Sequence, residues 1–153
     1  MKTRRILFIT ISLILLIGIS GCDKNDIVLE IKINKELPVL YSGCNLAEGQ
    51  IVIINSQEDL DKMYKKEYIS QLPEFQNIDF TKYSLIVGAR SYKRGIAKLE
   101  HLLMKTGNAT YDYKLKICYN LTLPAGTFYY GIMVNKIPSD AKVYLDAEEI
   151  EPG

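Results

Sequence analysis

The chain has no tryptophan and one histidine in 153 residues. Triad hydrolysis needs an imidazole base, and His101 is the sole candidate. It falls in register with Ala97, Leu99 and Leu103 on an apolar strand face, while Lys98 and Glu100 point the other way. A histidine so placed reads as a packed, hydrogen-bonded residue rather than a catalytic one. No Gly-x-Ser-x-Gly elbow is present, and Gly88 and Gly95 do not form a Gly-rich turn leading into a helix, so no phosphate loop is expected. One His and a few separated Cys make no metal-ligand set, and no cofactor motif appears. A formal net charge of +1, with no basic patch or DNA-reading helix, argues against a nucleic-acid partner.

Paired carboxylates are scarce in a useful sense. Glu148-Glu149 and Asp59-Asp61 are close only along the chain, whereas glycoside hydrolysis needs two acids facing each other across roughly 5 to 9 Å. No catalytic residue is therefore assigned, and the chain reads as more plausibly a non-enzyme. The lack of Trp, a common sugar-stacking residue, also weakens a glycan-binding reading.

What is present begins with Lys2, Arg4 and Arg5, followed by the uncharged, apolar run Ile6 to Ile19. Those fourteen residues would span roughly 21 Å as a helix, short of the roughly 30 Å hydrocarbon core of a bilayer. The pattern is that of a signal segment, with a positive n-region and an apolar h-region. Ile19-Ser20-Gly21-Cys22 resembles the lipobox of bacterial lipoproteins, with Ile19 in place of the usual Leu. That resemblance implies cleavage between Gly21 and Cys22 and lipidation of the Cys22 thiol. Two or three acyl chains meet the two-signal requirement for stable membrane anchoring.

The expected organisation is a signal over 1–21, a lipidated Cys22 with a short polar tether to 26, and one globular domain over 27–153. Cleavage leaves 16 basic residues against 18 acidic ones, a formal charge near −2. The expected location is the cell envelope, lipid-anchored at the outer membrane on its periplasmic face or at the cell surface. In an oxidising compartment the remaining Cys44 and Cys118 are a candidate disulfide. Spacing alone does not bring their Cα atoms within the roughly 4.4 to 6.8 Å that a bridge needs.

Within the domain, Ile27 to Ile33 reads as a first strand and Gln50 to Asn55 as a second. Ser56 is placed to cap a helix by accepting the Asp59 N–H, with Glu58 and Asp59 in its first turn. Leu60, Met63, Tyr64 and Tyr68 would form its apolar face to about Ile69. Strands follow at Tyr83 to Ala89, Ile96 to Lys105, Thr110 to Leu121, Thr127 to Asn135 and Val143 to Asp146, with turns at Gly107-Asn108 and Pro124 to Gly126. The fold class is α+β and β-rich: an antiparallel β-sandwich-like or rolled sheet with one helix packed on a face.

Eleven tyrosines are the main compositional excess. Tyr111, Tyr113, Tyr119, Tyr129 and Tyr130 fall on two neighbouring strands, where they would fill an amphipathic core with phenols at its rim. The alternative is an exposed tyrosine platform for a peptide or glycan. Arg90, Tyr92, Lys93 and Arg94 cluster in what reads as a loop between two strands, a candidate partner-binding surface.

The order of strand, "INSQEDLDKMYKKEY" helix, "IDF", "YSLIVGA" and later strands ending in "VNKIPSDAKVYL" resembles small Bacteroidota-type envelope lipoproteins of unassigned function. More remotely it is similar to the C-terminal domain of protease complex subunit PrcB, with Arg90 to Gly95 where that family has a Gly-Gly-Tyr-rich turn. The expectation is a lipid-anchored, non-enzymatic protein- or peptide-binding module. The alternative is a small envelope hydrolase or glycan-binding lipoprotein.

Overall fold

The computed structural model describes residues 28–122 and 125–153. The expected signal segment with its cleavage site at Gly21 and Cys22, the expected tether and Pro124 lie outside the described residues. In chain order the strands are β1 (Leu29–Ile31), β2 (Ile33–Glu36), β3 (Ile51–Ile54), β4 (Tyr83–Tyr92), β5 (Ile96–Lys105), β6 (Thr110–Tyr119), β7 (Gly126–Asn135) and β8 (Lys142–Ile150). Helices α1 (Gln57–Met63) and α2 (Lys66–Ile69) and a 3-10 turn, Pro73–Phe75, lie between β3 and β4. Two four-stranded sheets result: a front sheet ordered β1-β5-β6-β8 and a back sheet ordered β2-β7-β4-β3. The fold is a β-rich, sandwich-like α+β architecture.

Alternation along β6 builds the front sheet. Tyr111, Tyr113, Leu115, Ile117 and Tyr119 are buried, and they pack with Ile86, Phe128, Tyr130 and Ile132 of the back sheet. The other face of β6 carries Asp112, Lys114, Lys116 and Cys118 toward water. The back sheet is covered on both sides. Leu85, Val87 and Ala89 of β4 face a second cluster formed with Leu60, Tyr64, Ile69 and Phe75, so Ser84 through Ala89 are all buried. A strand without a wet face reads as a continuous apolar run, as "LIVGA" does.

Several expectations are corrected by tertiary contacts. The first strand divides at Lys32 into β1 and β2, which belong to different sheets. Ile31 and Ile33 nevertheless pack on the same interior, one from each sheet. Ser56 does cap α1 through the Asp59 N–H, but the helix ends at Met63 rather than running to Ile69. The Asn45 side chain and backbone donate to the carbonyls of Lys62 and Met63, and Tyr64 turns extended to bridge Cys44. Partners outside the helix thus take its last carbonyls. Tyr68 is consequently exposed, its ring lying over Gly43, which adopts φ +81°.

All named strand pairs are antiparallel except β6 with β8, which is parallel. The chain leaves β7 in the back sheet, buries Ile137 in the core and reaches the front sheet where the Lys142 N–H donates to the Ala109 carbonyl. A crossing between sheets is free of the hairpin geometry that would force antiparallel order. The same change of sheet separates β6 from β7. Their tyrosines therefore do not pair within one sheet; Tyr113 and Tyr130 meet across the interior with ring centroids 6.0 Å apart.

The Cys44–Cys118 disulfide is not formed, and both thiols are free. Cys44 lies on the helical side of the back sheet, and Cys118 lies opposite Lys98 on the outer face of the front sheet. Two sheets packed about 10 Å apart stand between them, beyond the reach of any disulfide.

The sheets give the molecule two poles. Leu29 pairs with Lys105, so the N-terminal end of the described chain lies at one pole, beside the β5–β6 turn. The β4–β5 turn and the segment after β6 lie at the other, where Tyr92 pairs with Gly126 and Ile96 with Tyr119. The length of β5 sets the separation at roughly 30 Å.

Packing on the helical side of the back sheet leaves little room for a side chain at Gly131. A Cβ on Gly131 would stand 2.7 Å from the Ile86 carbonyl oxygen and 2.8 Å from Val87 Cγ1. Gly131→Ala should destabilise the fold by about 1–3 kcal/mol through this overpacking. The measurement is the urea midpoint, which should fall without a change in m-value.

Candidate partner-binding pole

The segment read as the loop Arg90 to Gly95 is mostly strand. Arg90, Ser91 and Tyr92 complete β4, pairing with Phe128, Thr127 and Gly126, and only Lys93, Arg94 and Gly95 form the turn. The extension follows from β7, whose ten residues pair with β4 throughout. Arg90 continues the inward-facing series Ser84, Ile86 and Gly88. It is half-buried, and its guanidinium reaches across the open side of the sandwich to Glu149 on β8 at 3.1 Å. Arg94 pairs with Glu151 at 3.3 Å. Two of the three cations are thereby neutralised by the C-terminal strand and its flank, while Lys93 stays exposed.

Tyr92 has a different role. Its ring contacts Phe128 in the core at a centroid distance of 6.1 Å and Tyr41 at 5.5 Å, both edge-on. Phe128 in turn meets Tyr130, and Tyr130 meets Tyr113, which lies beside His101. A file of aromatic rings thus runs from the middle of the front sheet to the surface of this pole. Edge-to-face ring contacts add to the area each ring buries and restrict its orientation. Tyr41, at the outer end, is 54% exposed, and Leu121, beside the turn, is 74% exposed. Leu121 is held there by its neighbours, because the Gly95 N–H donates to the Thr122 carbonyl and the Asn120 N–H to that of Gly95.

The interior end of the file is polar but occupied. His101 Nδ1 and the Tyr113 hydroxyl share a 2.6 Å hydrogen bond, and burial holds the imidazole below its ordinary pKa, with Glu36 opposing. Burial pushes the Tyr130 phenol up to about 12, with the Arg90 cation opposing. Burial likewise raises the Cys44 thiol, which leaves it protonated and unreactive near neutral pH. Tyr111, Tyr113, Tyr119 and Tyr130 are buried, and Tyr129 points to the helical side of the back sheet. β6 and β7 therefore present no tyrosine platform to solvent.

The acidic pairs are not arranged for hydrolysis. Glu148 and Glu149, neighbours on β8, project to opposite faces. Asp59 accepts from the Ser56 hydroxyl at 2.7 Å and Asp61 from Gln57 Nε2 at 2.8 Å. A depression of about 290 Å³ beside α1 is lined by Asp61, Lys66, Ser70 and Asn77, among others. A shallow one of about 280 Å³ on the front sheet lies over Glu100, Leu102, Lys114, Lys116 and Glu148. The latter is part of a charge ladder in which Glu100, Lys116 and Glu148 stand side by side. Among the described residues no group of three or more His, Cys, Asp or Glu is gathered for a metal ion.

Comparison with known proteins finds no matching family model, curated relative or solved structure.

Arg90, Tyr92, Lys93 and Arg94 group together in the sequence, but their neighbours at this pole, Tyr41 and Leu121, and the acidic partners Glu149 and Glu151 do not. Each comes from a segment distant in sequence, and no local pattern links them. The ion pairs have a testable consequence. Arg90→Ser removes the half-buried Arg90–Glu149 pair and the packing of the arginine stem, and should cost about 1 kcal/mol, whereas Lys93→Ser should stay within about 0.5 kcal/mol of the parent. Parallel thermal denaturation of the two variants checks the difference.

Proposed function

We propose that the protein is a lipid-anchored cell-envelope module without enzymatic activity that binds a protein or peptide through the pole of the sandwich bearing Tyr41, Tyr92, Lys93 and Leu121. The observation that carries this reading is the position of that cluster. An exposed aromatic–aliphatic group lies at the pole opposite the N-terminal end of the described chain, about one strand length from where a tether from Cys22 would enter. A protein held at its N-terminal pole presents the other pole outward. Tyrosine suits this position because a ring anchored at its inner edge offers contact area at small entropic cost, and such residues often dominate interface energetics. The neutralised Arg90 and Arg94 place shape and apolar contact ahead of charge in the recognition.

The anchoring half of the proposal is supported by the cationic start, the apolar run and the lipobox-like Ile19 to Cys22. Replacing Cys22 by Ala should move the chain out of the membrane fraction of cells grown with labelled fatty acid. Unchanged partitioning of that variant would refute lipid anchoring.

The binding half is tested by affinity capture from gently solubilised membranes. The double variant Tyr41→Ser/Leu121→Ser alters only exposed side chains, so its thermal midpoint should be close to that of the parent. Its partner recovery should fall by about tenfold or more. Equal recovery with an intact fold would place the binding surface elsewhere.

A further inference from the structure

Each sheet has two edges, and the four edge strands differ sharply. β1 has three residues, β2 has four with a register shift after Ile33, and β3 has four. Short and irregular strands are a common defence against edge-to-edge association. β8 lacks that defence. Its nine residues run in unbroken register beside β6 from Lys142 to Ile150, and among the described residues no strand pairs with its other side. A regular strand of that length presents a row of outward N–H and C=O groups ready to accept another strand.

The side chains along this edge are self-complementary. Val143, Leu145 and Ala147 pack inward on the core, while Lys142, Tyr144, Asp146 and Glu148 are exposed on the outer face. From this we infer that β8 pairs antiparallel with β8 of a second copy, centred on Leu145, and so joins two front sheets into one. In this register Lys142 of each copy stands opposite Glu148 of the other, and Tyr144 stands opposite Asp146. On the inner face Val143 meets Ala147, and Leu145 meets its own symmetry mate. Oppositely charged residues directly across an antiparallel pair stabilise it, and like charges destabilise it. Moving the centre to Asp146 sets two aspartates against each other. Moving it to Tyr144 leaves only five strand residues overlapping. The register on Leu145 keeps seven of the nine strand residues overlapped and combines that overlap with favourable charge pairing. The two-fold axis is the closed, isologous arrangement that ends at a dimer instead of growing into a fibre. Antiparallel pairing places the N-terminal poles of the two copies at opposite ends, so the association is measured on chains released from the bilayer.

The experiment uses the full chain in mild detergent and follows sedimentation over a range of concentrations. The parent should dimerise. Lys142→Glu and Glu148→Lys, each alone, set like charges face to face at both ends of the interface and should raise the dimer dissociation constant about tenfold or more. An equimolar mixture of the two variants restores opposite charges in both places and should associate as tightly as the parent. As a measurement free of substitutions, amide hydrogen exchange on β8 should slow with rising parent concentration, while β3 amides do not respond. A parent that stays monomeric at all concentrations overturns the inference. So does a parent dimer that both single variants leave intact, a mixture that fails to associate when each variant retains its fold, or dimerisation without added protection on β8.

Discussion

Burial of β4 on both faces is the constraint from which the rest of the structure follows. Ile86 and its inward neighbours meet the front sheet, and Leu85, Val87 and Ala89 meet the helical layer. A strand in that position contributes apolar area to two cores at once, and it can do so only if both layers are in place. The short helices α1 and α2 owe their existence to this arrangement. Isolated helices of four and seven residues have little stability in water, and here Leu60 and Ile69 are buried against the back sheet.

One polar residue is buried on the inward face of β4. Ser84 is fully buried between apolar neighbours, and its hydroxyl bonds to the Asn55 side chain and accepts the Ile137 N–H at 3.0 Å. Those contacts tie the end of β3 to the crossing that carries the chain from β7 to β8. Lys136 adds to the same junction, its ammonium donating to the carbonyls of Asn55 and Phe80. The crossing is thus fixed by satisfied polar groups, and its position decides that β8 runs parallel to β6 and forms an edge.

The surfaces that bear on function are consequences of the same two-sheet closure. The open side of the sandwich between β4 and β8 is bridged by Arg90 and Glu149, which turns charges that look like a solvated cluster into a structural tie. At the pole, the aromatic file ending in Tyr92 and Tyr41 carries rigidity from the core outward, so that an exposed side chain rests on a buried one. The outer face of the front sheet carries one fully charged row, Glu100–Lys116–Glu148, with Lys98, Lys114, Asp112 and Asp146 in the neighbouring rows. The surfaces proposed for recognition are the tyrosine–leucine pole and the long edge of β8.

Local physics was legible in the chain itself. Period-two alternation marked β5 and β6, the continuous apolar run marked β4, and Ser56 marked the start of α1, because each depends on side chains and backbone within a few residues of one another. The β-rich, two-layered class followed from the same patterns. Features that depend on distant partners were not legible. Division of the first strand between sheets at Lys32, termination of α1 by Asn45, the parallel placement of β8 and the separation of Cys44 from Cys118 all arise from contacts between remote segments. The candidate pole divides in the same way: Tyr92 and Lys93 stand out as an aromatic and a cation at a turn, but Tyr41, Leu121, Glu149 and Glu151 join them only in three dimensions. A sequence pattern reports which face of an element seeks an apolar neighbour; which neighbour it obtains is settled by the packing of the whole chain.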